Sequence, residues 1–113
     1  MYAPAAPDPA RNTLVEILKL LNEAEEKHEG KPPEQAMELG EIETKMTDFP
    51  PVKQGNIKVA LAVGLLLRNR FVIADSASQY SWERQRDVAQ RYRITPEGKK
   101  FLVDSIENSN RIS

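Results

Sequence analysis

Val59 to Leu67 is a run of nine residues without a polar side chain, the strongest apolar segment in the chain. A helix that crosses a membrane needs about 20 such residues, so the run reads as a helix buried in a protein core. Phe71-Val72-Ile73-Ala74 follows almost at once, aromatic and β-branched residues that favour a strand. A buried helix leading directly into a strand calls for mixed α+β packing, with the other segments supplying the cover. At 113 residues the chain holds one domain and is too short for two.

Those other segments read in order. Met1 to Arg11 carries Pro4, Pro7 and Pro9 among alanines and has no apolar period, which predicts a disordered or extended arm. It lacks the basic start and longer apolar run of a secretory signal, so a cytoplasmic protein is expected. A first helix should start near Asn12 or Thr13, where Thr13-Leu14-Val15-Glu16 has the form of a capping box, and should end before Gly30. Leu14, Ile17, Leu18 and Leu21 recur at three and four residues and share one face. Lys31-Pro32-Pro33 breaks the chain, and a second helix is expected from Pro33 to about Met46, carrying Met37, Leu39, Ile42 and Met46. Thr47 to Lys53, with Pro50-Pro51, reads as a loop or a short extended stretch.

The third helix is expected from about Asn56 to Asn69, with Lys58, Ala62, Leu65 and Asn69 as its outer strip, and with Ala60, Ala62 and Gly64 small enough for close helix approach. After the strand at Phe71 to Ala74, the alternation at Tyr80 and Trp82 and the run Val88 to Ile94 predict a hairpin whose charged tip is Glu83-Arg84-Gln85-Arg86-Asp87. Thr95-Pro96-Glu97 then starts a last helix: a Thr cap, Pro in the first turn and an acid that suits the helix dipole. Gly98 permits that helix to approach the sheet closely, Phe101, Leu102 and Ile106 give it an apolar face, and fraying is expected from Asn108. The expected domain spans 12–109, between the arm at 1–11 and a frayed end at 110–113.

The absence of cysteine excludes disulfides, thiolate catalysis and cysteine-ligated metals. His28 is the one histidine, so a histidine-based metal site is not expected, and no cofactor is implied. Glu23, Glu25, Glu26 and Glu29 beside His28 read as a solvated acidic helix end. There is no Gly-rich phosphate loop and no Gly-x-Ser-x-Gly, so the chain does not read as an enzyme. The net charge of -1 hides a division. Residues 1–52 hold 5 Lys and Arg against 11 Asp and Glu, a balance of -6, whereas residues 53–103 hold 10 against 4, a balance of +6.

Three helices, a hairpin and a closing helix follow the order of a winged helix-turn-helix domain, and two segments carry a closer likeness. Tyr92-Arg93-Ile94-Thr95-Pro96-Glu97-Gly98-Lys99-Lys100-Phe101-Leu102 resembles the Tyr-x-Leu-Thr-x-x-Gly-x-x-x-Leu segment that ends the wing in MarR-type and PadR-type transcription regulators. Leu66-Leu67-Arg68-Asn69-Arg70-Phe71-Val72 is similar to the passage from the third helix into the first wing strand of the same regulators. The resemblance implies a mainly helical α+β winged helix with a two- to three-stranded wing, binding double-stranded DNA as a homodimer and regulating transcription.

In such domains the third helix enters the major groove and the wing meets phosphate or the minor groove. The resemblance thereby nominates Gln54, Asn56 and Lys58 for base or phosphate contacts and Arg84 and Arg86 at the wing tip for phosphate or minor groove, with Lys53, Arg91 and Arg93 secondary. Each has a plainer reading: cations on a hairpin commonly form a solvated face that deters edge aggregation. Tyr80 and Trp82 could stack on single-stranded bases but more often such a pair packs the inner face of a wing. Ala62 and Leu65 on the expected outer strip favour a rival function, a winged-helix module that binds protein, with the basic wing meeting an acidic partner or the acidic half of another copy. The carboxylates Glu34, Glu38, Glu41 and Glu43 would repel phosphate and must face away from it. An effector, if one exists, would bind between subunits or beside the third helix.

Overall fold

The computed structural model describes residues 9–74, 80–81, 86–87 and 91–112. Helix α1 (Pro9–Lys27) buries Thr13, Ile17, Leu18 and Leu21, the face expected from the sequence, with Leu14 at its edge. It starts earlier than the Thr13-x-x-Glu16 pattern suggests. Pro9 is tolerated in a first turn because it lacks the amide that would go unpaired there. Thr13 consequently lies inside the helix, donating its Oγ1 hydrogen to the Pro9 carbonyl at 2.7 Å instead of capping. The helix ends before Gly30, which turns the chain at φ +83°.

The second helix expected from Pro33 to Met46 is three elements: a turn of 3-10 helix (Pro32–Gln35), strand β1 (Met37–Glu38) and helix α2 (Leu39–Met46). Two local preferences divide it. Ala36 is extended at φ -105° and ψ 153°, and the Glu38 amide donates to the Glu41 Oε1 at 3.5 Å, a capping-box contact that starts the helix afresh at Leu39. Met37 is thereby a strand residue, while Ile42 and Met46 keep their helical place in the core.

The expected loop at Thr47 to Lys53 contains a short helix, α3 (Pro50–Lys53). The third expected helix is α4 (Val59–Arg68), shorter at its start than Asn56. Its outer face is not the expected strip. Ala62 is 0% exposed and is buried beside Val59, Val63 and Leu66, whereas Ala60, Leu61, Gly64 and Arg68 face outward. The nine-residue run offers no polar residue to orient it, and the two polar markers, Lys58 and Asn69, are the N-cap and C-cap, so their directions do not project along the helix. The helix closes on a Schellman motif: the Phe71 amide donates to the Leu66 carbonyl and the Arg70 amide to the Leu67 carbonyl, both at 3.0 Å. That motif places Arg70 at φ 62°, in the left-handed region that glycine fills at lower cost.

Strands β2 (Val72–Ala74), β3 (Tyr80–Ser81), β4 (Arg86–Asp87) and β5 (Arg91–Ile94) follow. A three-stranded antiparallel sheet has the order β1-β5-β2, pairing Met37 with Tyr92 and Val72 with Ile94. These four residues lie on its buried face, and β5 is central. β3 and β4 form a separate antiparallel pair, Tyr80 with Asp87 and Ser81 with Arg86. The expected hairpin pairs differently: Arg86 and Asp87, expected in its tip, form β4, and Arg91 to Ile94 pairs with β2 instead of with the Tyr80 stretch, while Trp82 to Gln85 and Val88 to Gln90 lie outside the described residues.

Helix α5 (Pro96–Ile112) runs past the fraying point expected at Asn108. Its start matches the sequence expectation closely. Buried Thr95 accepts the Gly98 amide on Oγ1 at 2.9 Å and donates that hydroxyl to the Arg70 carbonyl at 2.7 Å. One side chain thus caps α5 and ties it to the end of α4. At Gly98 an added Cβ would run into the Phe71 carbonyl and come within 2.9 Å of the Ile94 Cγ1, so the helix reaches the sheet only because this residue is glycine. The molecule is mainly helical, an α+β fold closed by a small antiparallel sheet.

Candidate nucleic-acid interface

The short helix α3 fixes the approach to α4. It ends on a second Schellman motif, with the Asn56 amide donating to the Pro51 carbonyl at 2.8 Å, the Gly55 amide to the Val52 carbonyl at 3.0 Å, and Gly55 at φ +78°. Gln54 and Asn56 consequently stand on either side of a locked turn, and Asn56 precedes α4 instead of opening it as expected. Their carboxamides meet, the Asn56 Nδ2 donating to the Gln54 Oε1 at 3.4 Å. Lys53, Gln54, Asn56 and Lys58 are all exposed, while Ile57 between them is buried and anchors the loop. The connection thus presents two cations and two carboxamides on one short backbone segment. Such groups can hold phosphate oxygens and donate to base edges.

A groove of about 560 Å³ lies beneath this segment, between α2, α3 and the start of α4, and both Lys53 and Lys58 line it. Glu43 lines it too, so one carboxylate of the second helix sits among the cations instead of facing elsewhere. Glu34 and Glu41 are exposed on other contacts: Glu34 accepts from His28 Nδ1 at 3.0 Å, and Glu41 serves the α2 cap beside half-buried Glu38.

The remaining nominated residues separate. Arg86 belongs to β4 and pairs with Ser81 through the backbone, and Arg84 lies outside the described residues. Arg91 and Arg93 stand on β5, and their guanidinium groups are engaged within the fold. The Arg91 Nη2 donates to the Ala36 carbonyl at 3.0 Å, fastening the central strand to the segment before β1. The Arg93 Nη2 donates to the Gln35 Oε1 at 2.9 Å, and its Nε lies 3.6 Å from the Glu25 Oε2.

Glu25 is the residue that sequence reasoning placed wrongly. Its side chain is 16% exposed and also accepts from Lys99 Nζ at 2.7 Å, while its backbone carbonyl accepts from buried Gln35 Nε2 at 2.8 Å. One position on α1 therefore joins β5, α5 and the 3-10 turn. Counted as one of four glutamates in a hydrophilic run it looked solvated, because its partners lie 68 and 74 residues away, beyond the reach of any local pattern. Burial of Gln35, unusual for that residue type, was equally invisible.

No protein-family model matches the chain, and no curated protein matches it. Among solved structures the chain is similar to a crystal structure from Thermoplasma acidophilum, the "putative transcriptional regulator TA0346", with a TM-score of 0.58 and 20% sequence identity, over 91% of this chain and 87% of that one. The likeness is one of fold. It extends over nearly the full length of both chains, so the arrangement of α1 to α5 around the sheet is a shared architecture and not a local coincidence. Among the described residues no helix is long and apolar enough to cross a membrane.

Proposed function

We propose that this chain is a winged-helix protein that binds double-stranded DNA and regulates transcription, working in the cytoplasm as a homodimer. The observation that carries the reading is the central strand β5, paired on one side with a strand inserted between α1 and α2 and on the other with the strand leaving α4. In this reading α1, α2 and α4 are the three helices of a winged-helix domain, α3 lies in the turn before α4, and the β3–β4 hairpin is the wing. The fold-level likeness to TA0346 supports it.

The locked segment Lys53 to Lys58 and the leading end of α4 enter the major groove, where Lys53 and Lys58 hold phosphates and Gln54 and Asn56 reach base edges. Arg84 and Arg86 of the hairpin meet phosphate or the minor groove. Arg91 and Arg93 serve this reading indirectly, by holding β5 against α1 and the 3-10 turn. Val103 and Ile106, 51% and 40% exposed on α5, supply the apolar contact between two copies.

A gel-shift series with duplexes of differing sequence tests the assignment. Replacing Lys53 and Lys58 together by Ala, or Arg84 and Arg86 together, weakens binding to every duplex about tenfold or more. Asn56→Ala instead narrows the difference between duplexes, since an adenine-type contact is worth about 1–3 kcal/mol of discrimination. Equal binding by the Arg84/Arg86 variant would remove the wing from the interface.

A further inference from the structure

The outward face of α4 has a composition that base reading does not use. Ala60, Leu61 and Gly64 form its middle, half-buried Leu65 and Leu67 its shoulders, and Leu61 is 60% exposed. None of these side chains can donate to or accept from a base edge. The cations stand at the ends, Lys58 at the N-cap and exposed Arg68 in the last turn, with exposed Arg70 just beyond. At Gly64 an added Cβ would meet nothing within 4 Å, so the backbone itself is open to close approach.

From this pattern we infer that the outer face of α4 docks an amphipathic helix of another protein whose apolar stripe is bordered by carboxylates. Leu61 fits between the partner's apolar residues, the small Ala60 and Gly64 admit its backbone, and Lys58 and Arg68 pair with acids at its two ends. This is helix-in-groove recognition with charge setting the partner.

Charge also discriminates against a second copy of this chain. Packing α4 antiparallel on α4 brings Lys58 of each copy toward Arg68 of the other, like charges at both ends. The acidic helix α2 is no better fit: its apolar residues Ile42 and Met46 are buried, and its outer face is Gly40, Glu41, Glu43, Thr44 and Lys45. The exposed apolar residues of α5, Val103 and Ile106, are assigned above to the contact between two copies, so the helix that docks on α4 brings its own apolar stripe. Where the chain binds DNA as proposed above, that helix occupies the face that approaches the groove, and partner and duplex exclude each other. The docking itself does not rest on DNA binding.

The test uses the full chain without DNA and a fluorescein-labelled helical peptide of about 18 residues, long enough to hold helix in water, with a leucine stripe bordered by glutamates. A second peptide carries lysine at every glutamate position. Fluorescence anisotropy should give saturable binding of the glutamate peptide, about tenfold or more tighter than the lysine peptide. Leu61→Glu should weaken it by at least a similar factor without changing the far-UV circular dichroism, since the side chain is already mostly in solvent. Equal affinity for the two peptides, or an unchanged affinity in Leu61→Glu, would overturn the assignment. Self-association of the wild-type chain that Leu61→Glu abolishes would give the face to a second copy and overturn it as well.

Discussion

At the scale of single residues, backbone geometry decides more than side-chain chemistry. Gly64 and Gly98 both lie inside helices, and sequence alone ranks them equally as helix weaknesses. Their surroundings differ: open solvent at Gly64, the Phe71 carbonyl and Ile94 at Gly98. The same substitution should therefore act in opposite directions. Gly64→Ala should raise stability by about 0.5–1 kcal/mol through reduced backbone entropy in the unfolded chain. Gly98→Ala should lower it by about 1–3 kcal/mol, because α5 must move off the sheet by more than the gain in helix propensity returns. Urea denaturation followed by circular dichroism separates the two, and a stabilised Gly98→Ala would mean that α5 does not seat on Phe71 and Ile94. The value of Gly98 was legible beforehand, since Thr95-Pro96-Glu97-Gly98 carries a cap, a first-turn proline and a close-approach glycine in four positions. The left-handed Arg70 was not, because nothing in Asn69-Arg70-Phe71 marks the turn as a Schellman closure without glycine.

Among the elements, the sequence was informative where one signal dominated and misleading where two competed. The apolar period of α1, the strand after α4 and the start of α5 all had a single local reading, and each is present. Between Pro32 and Met46, apolar residues at near-helical spacing suggested one helix. The capping contact at Glu38 and Glu41 and the pairing of Met37 with Tyr92, 55 residues away, instead made a strand and a shorter helix. Lys53, Gln54, Asn56 and Lys58, expected at the entry of a helix starting near Asn56, are all exposed and all precede α4, which begins only at Val59. The cluster at Glu25 tests how these elements are joined. Glu25→Ala leaves Arg93 and Lys99 facing each other without their shared carboxylate and should cost about 1–2 kcal/mol, more than an exposed ion pair is worth. Exposed Glu29, two residues past the end of α1, is the control, and Glu29→Ala should fall within about 0.5 kcal/mol of the wild type. Equal effects at the two positions in chemical denaturation would show that Glu25 does not join the elements.

Over the whole molecule, the separation of charge has a structural meaning that the net value of -1 conceals. The basic half is divided between two tasks. Arg91, Arg93 and Lys99 are spent on holding β5 and α5 to α1 and the 3-10 turn, with Glu25 from the acidic half as an internal counter-charge. Lys53, Lys58, Arg68 and Arg70 remain on the surface around α4 and Lys100 on α5, with Arg84 and Arg86 assigned to the hairpin by sequence. The surface cations therefore make a smaller footprint than the count of ten basic residues in 53–103 suggests. They bracket an apolar helix face that suits a protein at least as well as a groove. Salt dependence measures that footprint directly. In fluorescence anisotropy with a duplex, the logarithm of affinity should fall linearly with the logarithm of salt concentration, by about 0.9 for each phosphate neutralised. Replacing Lys53, Lys58, Arg84 and Arg86 together by Ala should reduce that slope by about 3 to 4. Absence of duplex binding by the wild-type chain at low salt, or an unchanged slope in the fourfold variant, would contradict DNA binding through these residues.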